Sequence, residues 1–244
     1  MVFGIGRKIK KSLKPQKSEQ FEYTGDNIAV RKKNLSFMEE ETFSSAWEKA
    51  VEGNRPAWGG RNKDVRWRAH TAVWAAKHGL TLEGDFVECG VFLGVLSLTI
   101  CHSLKFDQIP RNFYLFDTFD GIPDDGGDLI KKQNEAYFDC FEIAEKNFLP
   151  FPNVKLIKGA LPGTLPQAPI EKIAYLSVDL NHARYEYEVI MELWDRLARS
   201  AIILIDDYAF QNHEEQYEMW NEFAASKGCS ILTMPTGSGV LLKP

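Results

Sequence analysis

Five short and nearly uninterrupted apolar runs constrain this chain most: DFVEC (85–89), NFYLF (112–116), NVKLI (153–157), IAYLSV (173–178) and AIILI (201–205). Each is the length of a strand, and each lacks the polar alternation that a half-solvated strand would show. Strands of this kind are buried on both faces, which is the environment of a parallel sheet. Helical patterns separate them at 95–104, 135–148, 185–197 and 214–226. The chain closes with CSILTMPTGSGVLLKP, two short apolar runs (230–234 and 239–243) around a Pro/Gly turn, which reads as an antiparallel hairpin. Strand and helix in alternation with a terminal hairpin predict an α/β fold, a doubly wound, mostly parallel sheet with a C-terminal antiparallel edge.

The region before the first run is different. Ser36-Phe37-Met38-Glu39 has the form of a capping box and predicts a helix from about 37 to 52, stopped by Gly53. Asp64 is placed to cap a second helix running to about Lys77, with Gly79 as its stop and Val65, Ala69, Ala72, Val73 and Ala76 as its apolar stripe. Between them lies the loop NRPAWGGRNK. Residues 1–20 carry a basic run from Arg7 to Lys17 and read as a solvated, flexible tail that is also able to touch an anionic surface.

At 244 residues and 44% hydrophobic, the chain can bury a full core. Its net charge of −5 argues against a nucleic-acid binder working through phosphate neutralisation. No apolar window is long enough for a transmembrane helix, and the N-terminus lacks the apolar core of a secretory signal. Cys89, Cys101, Cys140 and Cys229 are scattered without a C-x-x-C pair, which fits reduced thiols in a cytoplasmic protein.

The chemistry gathers where the strands end. Glu88, Asp117, Asp179 and the pair Asp206-Asp207 stand at the C-terminal ends of four of the five runs. In an open α/β sheet those ends share one edge, and ligands bind in the crevice there. Any one of these acids is equally well a cap for the following helix; four together favour a site. After the first run, ECGVFLG supplies Gly90 and Gly94 for a tight turn with close backbone approach. The third glycine of a dinucleotide fingerprint is missing. Asp117 follows the second run as a ribose-gripping acid would, but at a longer separation than the ~20 residues of that fingerprint. A ligand with a ribose and no pyrophosphate fits, and S-adenosylmethionine (SAM) is one. Asp179, Asp206 and Asp207 form a hard-oxygen donor set suited to Mg²⁺; the alternative is that one caps a helix while another pairs with an arginine such as Arg184. Asn181 is either a further oxygen ligand or a helix cap. His182, three residues past Asp179, is either a general base or a structural hydrogen-bonding group. Trp58, Trp67, Tyr185, Tyr208 and Phe210 are candidates to stack on a sugar face or to pack in core and lid.

At this point GDFVECGVFLG, YLFDTFDGIP, IKGALPGTLP, LSVDLNH and IILIDDY, in that order, resemble the macrocin O-methyltransferase family (TylF/MycF/NovP-type) over about residues 64–244. The resemblance implies a SAM- and Mg²⁺-dependent enzyme that methylates sugar hydroxyls, on a Rossmann-like sheet with a reversed final strand. It also implies a helical lid at 21–63 over a methyltransferase domain at 64–244. Glu88, Gly90, Gly94 and Asp117 then resemble the SAM loop and ribose acid. Gly159 and Ala160 would lie near the adenine, and Asp179, Asp206 and Asp207 look like the metal triad; Asp179 and, from its own spacing rather than from the resemblance, His182 are the expected catalytic residues. The family's second acid is replaced here by Asn181. The expected partner is a small-molecule acceptor, a saccharide, and a homodimer is the assembly to consider. The alternatives are a phenolic or catechol-like acceptor, or a nicotinamide-dependent oxidoreductase on the same kind of sheet.

Overall fold

Side chains alternate across the central strands, and that alternation divides the core in two. In the computed structural model, which describes residues 21–58, 63–123 and 127–244, strands β3 (Asp85–Cys89), β4 (Phe113–Asp117), β5 (Val154–Lys158), β6 (Ile173–Val178) and β7 (Leu197–Ile205) run parallel. Strands β8 (Ile231–Thr233) and β9 (Gly239–Leu242) complete the sheet in the order β5-β4-β3-β6-β7-β9-β8, with β9 antiparallel to both β7 and β8. Phe86, Phe113 and Tyr175 point to one face, where α1 (Glu41–Asn54), α2 (Arg66–Gly79) and α3 (Val95–Leu104) cover them. Val87, Leu176 and Ile203 point to the other, under α6 (Ala183–Leu193) and α7 (Glu214–Ser226). Each large apolar side chain so covered contributes about 1.5–3 kcal/mol. The strand order reverses between β3 and β6, so the crevice opens at the ends of those two strands.

The strands and the terminal hairpin lie where the apolar runs place them, within a residue or so, except at β7. That strand starts four residues early because Leu197 already pairs with Ile173. The helix expected to 197 therefore stops at Leu193 and tightens into a 3-10 turn over Trp194–Arg196.

The helix expected at 135–148 is only its second half, α5 (Phe141–Phe148), and a separate helix not expected from the sequence, α4 (Asp128–Asn134), ends just before it. Asn134 explains the break: its side-chain amide both accepts from and donates to the backbone of Ile122, pinning the chain to the loop after β4. The capping box at Ser36 yields only a 3-10 turn over Ser36–Met38, and α1 begins at Glu41. The N-cap of α2 is Val65 rather than Asp64, whose carboxylate accepts the Arg66 backbone N–H at 3.2 Å from one residue further out.

A small hairpin not evident from the sequence precedes α1: β1 (Tyr23–Gly25) pairs with β2 (Ile28–Val30), and its turn residues Asp26 and Asn27 both have positive φ. Helix α1 buries Phe43, Trp47, Ala50 and Val51 in the core. The basic run of the N-terminal tail and the Gly59-Gly60 turn lie outside the described residues. Among those residues no helix is long and apolar enough to cross a membrane, and the four cysteines are free thiols.

Candidate active site

Backbone ladders continue one residue past each strand end and carry the acids into a row. Gly90 N–H donates to the Phe116 carbonyl (2.8 Å), Asp179 N–H to the Cys89 carbonyl (2.7 Å), Asp206 N–H to the Val178 carbonyl (3.0 Å) and Gly159 N–H to the Asp117 carbonyl (2.9 Å). β3 and β6 approach so closely here that a Cβ on Gly90 would overlap the Asp179 carbonyl, and Gly90 sits at φ +89°. A side chain is excluded on both grounds.

The resulting cleft encloses about 620 Å³ of space, its open mouth included. Gly90, Asp117, Gly159, Asp179, Asn181 and Tyr185 are among its walls. Asp117 organises one side. One carboxylate oxygen accepts the backbone N–H groups of Val91 and Phe92 at 2.5 and 2.7 Å, and the other accepts that of Phe119 at 2.6 Å. Gly94 sits at φ +80° at the start of α3, packed under Phe148. Ala160 is exposed, between two wall residues, Gly159 and Leu161.

Glu88 belongs to an adjoining cavity on the helical side, which it shares with Trp58, Lys63, Arg68, Asp179 and Asp206. Only 3% of Glu88 is exposed, and one of its oxygens has no partner. Burial pushes its carboxyl up to about 8, against the pull of the Ser97 hydroxyl.

Asp179, Asp206 and Asp207 converge, with one oxygen from each lying within 4.8 Å of the others. Burial first, then the charges of its two neighbours, holds Asp179 well above the ordinary carboxylate range. Burial and Asp206 together raise Asp207 to about 7. Anionic oxygens this close repel unless a cation lies among them. A hard, oxygen-preferring divalent ion fits this donor set. Asn181, at φ +56°, turns its amide back to donate to Asp179 at 2.9 Å. His182 is the N-cap residue of α6 and lies against the Tyr185 ring, with centroids 4.5 Å apart.

The arginine among the acids is not Arg184, which is exposed and pairs with Glu188 one turn along. It is Arg68 of α2, whose guanidinium reaches Asp206 at 2.5 Å and Asp207 at 3.5 Å. Arg68 falls on the apolar stripe between Val65 and Ala72, and a charge on that stripe was the available signal. The same signal marks Glu186. It lies on the stripe of Val189, Ile190 and Leu193, is buried, and accepts the Trp220 indole N–H at 2.7 Å. Backbone N–H groups of Leu180 and His182 also donate to Glu186, so it anchors the turn that carries Asn181 and His182.

Of the five aromatics, Tyr185 faces the cleft. Trp58 and Tyr208 are in the core, Trp67 packs on Tyr23 and Phe37, and Phe210 lies under the Arg68 guanidinium. Tyr137 is a further wall of the cleft, set edge-on to Phe92.

Known proteins resemble the chain in sequence and in fold. The macrocin-O-methyltransferase (TylF) family profile matches residues 68–233. The chain is 26% identical over 143 residues to a demethyldecarbamoylnovobiocin O-methyltransferase of Streptomyces niveus, covering 53% of this chain and 55% of that one. It is also 26% identical over 140 residues to a mycinamicin III 3″-O-methyltransferase of Micromonospora griseorubida, covering 51% and 55%. The chain spans about half the length of these curated relatives. Among solved structures, the O-methyltransferase NovP superposes with a TM-score of 0.63 at 21% identity, covering 81% of this chain and 88% of that one. The calicheamicin methyltransferase CalS11 superposes with a TM-score of 0.61 at 17% identity, covering 86% and 94%.

Proposed function

Because the chain belongs to the macrocin O-methyltransferase family, we propose that it is a SAM-dependent O-methyltransferase. It uses Mg²⁺ and methylates a hydroxyl of a sugar or of a sugar-linked small molecule. The observation that carries this reading is a cleft walled by a glycine turn tied to an acid after the second parallel strand and by Asp179, which converges at the cleft's edge with Asp206 and Asp207. The names of the relatives, several of which act on sugar-bearing natural products, support the acceptor class. SAM and SAH complexes of proteins with this fold support the cofactor.

SAM supplies an activated methyl group on sulfur, and Mg²⁺ supplies a Lewis acid that lowers the pKa of an acceptor hydroxyl. The chain supplies the rest. Gly90, with no side chain to part β3 from β6, would present its backbone to the cofactor. Asp117 already orders the Val91–Phe92 turn, and the one acceptor position its three backbone bonds leave would take a ribose hydroxyl. Gly159 and Ala160 would border the adenine. Asp179, Asp206 and Asp207 hold the cation. His182 takes the proton from the acceptor hydroxyl at a ring nitrogen, and Glu186 holds the turn that positions it. Tyr137 and Tyr185 wall the cleft and would shield a bound acceptor from water and hold it toward the cofactor, and orientation of that kind supplies much of the rate. The reading places the protein among cytoplasmic biosynthetic enzymes.

The test is transfer of labelled methyl from SAM to glycosylated and phenolic acceptors, before and after exhaustive chelation. Transfer to a sugar hydroxyl that stops on chelation and returns with Mg²⁺ is expected. Asp206→Asn, which keeps size and capping ability, should keep SAM binding and lose turnover. Activity that survives chelation contradicts the metal role, and transfer confined to phenols contradicts the acceptor class.

A further inference from the structure

Arg68 is an unusual neighbour for a cation site. Its side chain is only 14% exposed, and its guanidinium is fully committed. Nε and Nη2 form a fork on Asp26 at 2.7 and 2.8 Å, while Nη1 donates to Asp206 and lies 3.5 Å from Asp207. The Phe210 ring closes the remaining face, 4.8 Å from the guanidinium carbon. Asp26 is itself almost buried, its side chain 5% exposed, and it is fixed at the turn of the β1–β2 hairpin. One guanidinium thus stands between two sets of carboxylates. On one side is the acid cluster, and on the other a single aspartate delivered from a separate element at the N-terminal end of the described chain.

We propose that Arg68 is the built-in counter-cation of the acid cluster. It neutralises Asp206 and Asp207 when no metal is bound, opposes the entry of a divalent ion, and is restrained on its far side by Asp26. The inference rests on the divalent-cation reading of the cluster. Its physics is direct. A fixed positive charge within hydrogen-bond reach of two of the metal's ligands repels that metal through a half-buried medium where screening is weak. Asp26 offsets part of that charge by holding the fork, so the hairpin sets how strongly the site takes up its metal. Arg68 is therefore a positioning residue that tunes affinity rather than a group that touches substrate.

The sign of the effect separates this role from an ordinary structural ion pair. If Arg68 merely braces the site, removing it loosens the aspartates and weakens metal binding. If it is the competing cation, removing it strengthens metal binding. Mn²⁺ is the probe, titrated into the full-length protein and followed by loss of the free-ion electron paramagnetic resonance signal, which requires no acceptor and no turnover. Arg68→Met keeps the apolar stem and removes the charge, and it should bind Mn²⁺ about tenfold tighter or more than the wild type. Equal or weaker binding by Arg68→Met, with the wild type binding Mn²⁺, overturns the inference and leaves the cation reading standing. Failure of both proteins to take up Mn²⁺ overturns both. If circular dichroism shows that Arg68→Met does not fold, Asp26→Asn decides. It leaves the triad intact but frees the full guanidinium charge toward it, so weaker Mn²⁺ binding supports the inference and unchanged or tighter binding overturns it.

Discussion

At the scale of single residues, the site is built from close approaches that permit little substitution. Gly90 combines φ +89° with the Asp179 carbonyl where its Cβ would go. Gly90→Ala should therefore destabilise the protein by about 1–3 kcal/mol from backbone strain alone, with a further loss of cofactor affinity as β3 and β6 part. A urea transition reads the first effect, and a midpoint equal to that of the wild type contradicts the assigned geometry. Glu88, Asp117, Asp179, Asp206 and Asp207 were all visible in the sequence because each ends an apolar run, a local pattern. Arg68 was not assigned there, because it meets Asp206 across 138 residues of chain. Asp26 was hidden for the same reason, in a stretch with no strong periodicity.

At the scale of elements, α6 and α7 are cross-braced by one buried polar contact. Trp220 has no exposed surface, and its indole N–H donates to Glu186, which in turn accepts from the backbone at Leu180 and His182. Trp220→Phe keeps most of the apolar contact and removes the donor. Losing a hydrogen bond to a charged or partly charged acceptor should cost about 1.5–3 kcal/mol. It should also loosen the 180–182 turn, read as faster amide exchange there, and exchange unchanged across that turn contradicts the brace. The parallel strands were legible because continuous apolar runs have one stable environment, and so was the terminal hairpin with its Pro/Gly turn. Periodicity alone missed α4 and the break before α5, since that break depends on the tertiary grip of Asn134 on Ile122. The β1–β2 hairpin was missed because its strands are three residues each, below the length at which alternation is diagnostic.

At the scale of the whole molecule, buried acids make folding oppose their ionisation. Asp207 and Glu186 are each raised to about 7 and Glu88 to about 8. Between the ordinary carboxylate range and those values the folded protein holds protons that the unfolded chain has released. Stability therefore falls as pH rises through that window. Without divalent ions, the urea midpoint should be lower at pH 8 than at pH 5.5. Mg²⁺ should raise it at pH 8 and have little effect at pH 5.5, because a cation binds only the deprotonated acids. A midpoint that rises with pH in the metal-free protein contradicts the burial assigned to these groups. The central claim is that the cleft at the β3–β6 reversal is a SAM site governed by Asp117. Calorimetric titration of S-adenosylhomocysteine into the wild type and Asp117→Ala tests it most directly, without need of an acceptor. One ligand per chain is predicted for the wild type, with an affinity loss in the variant equivalent to about 1.5–3 kcal/mol. No heat from the wild type, or equal affinity in the two proteins, would contradict it.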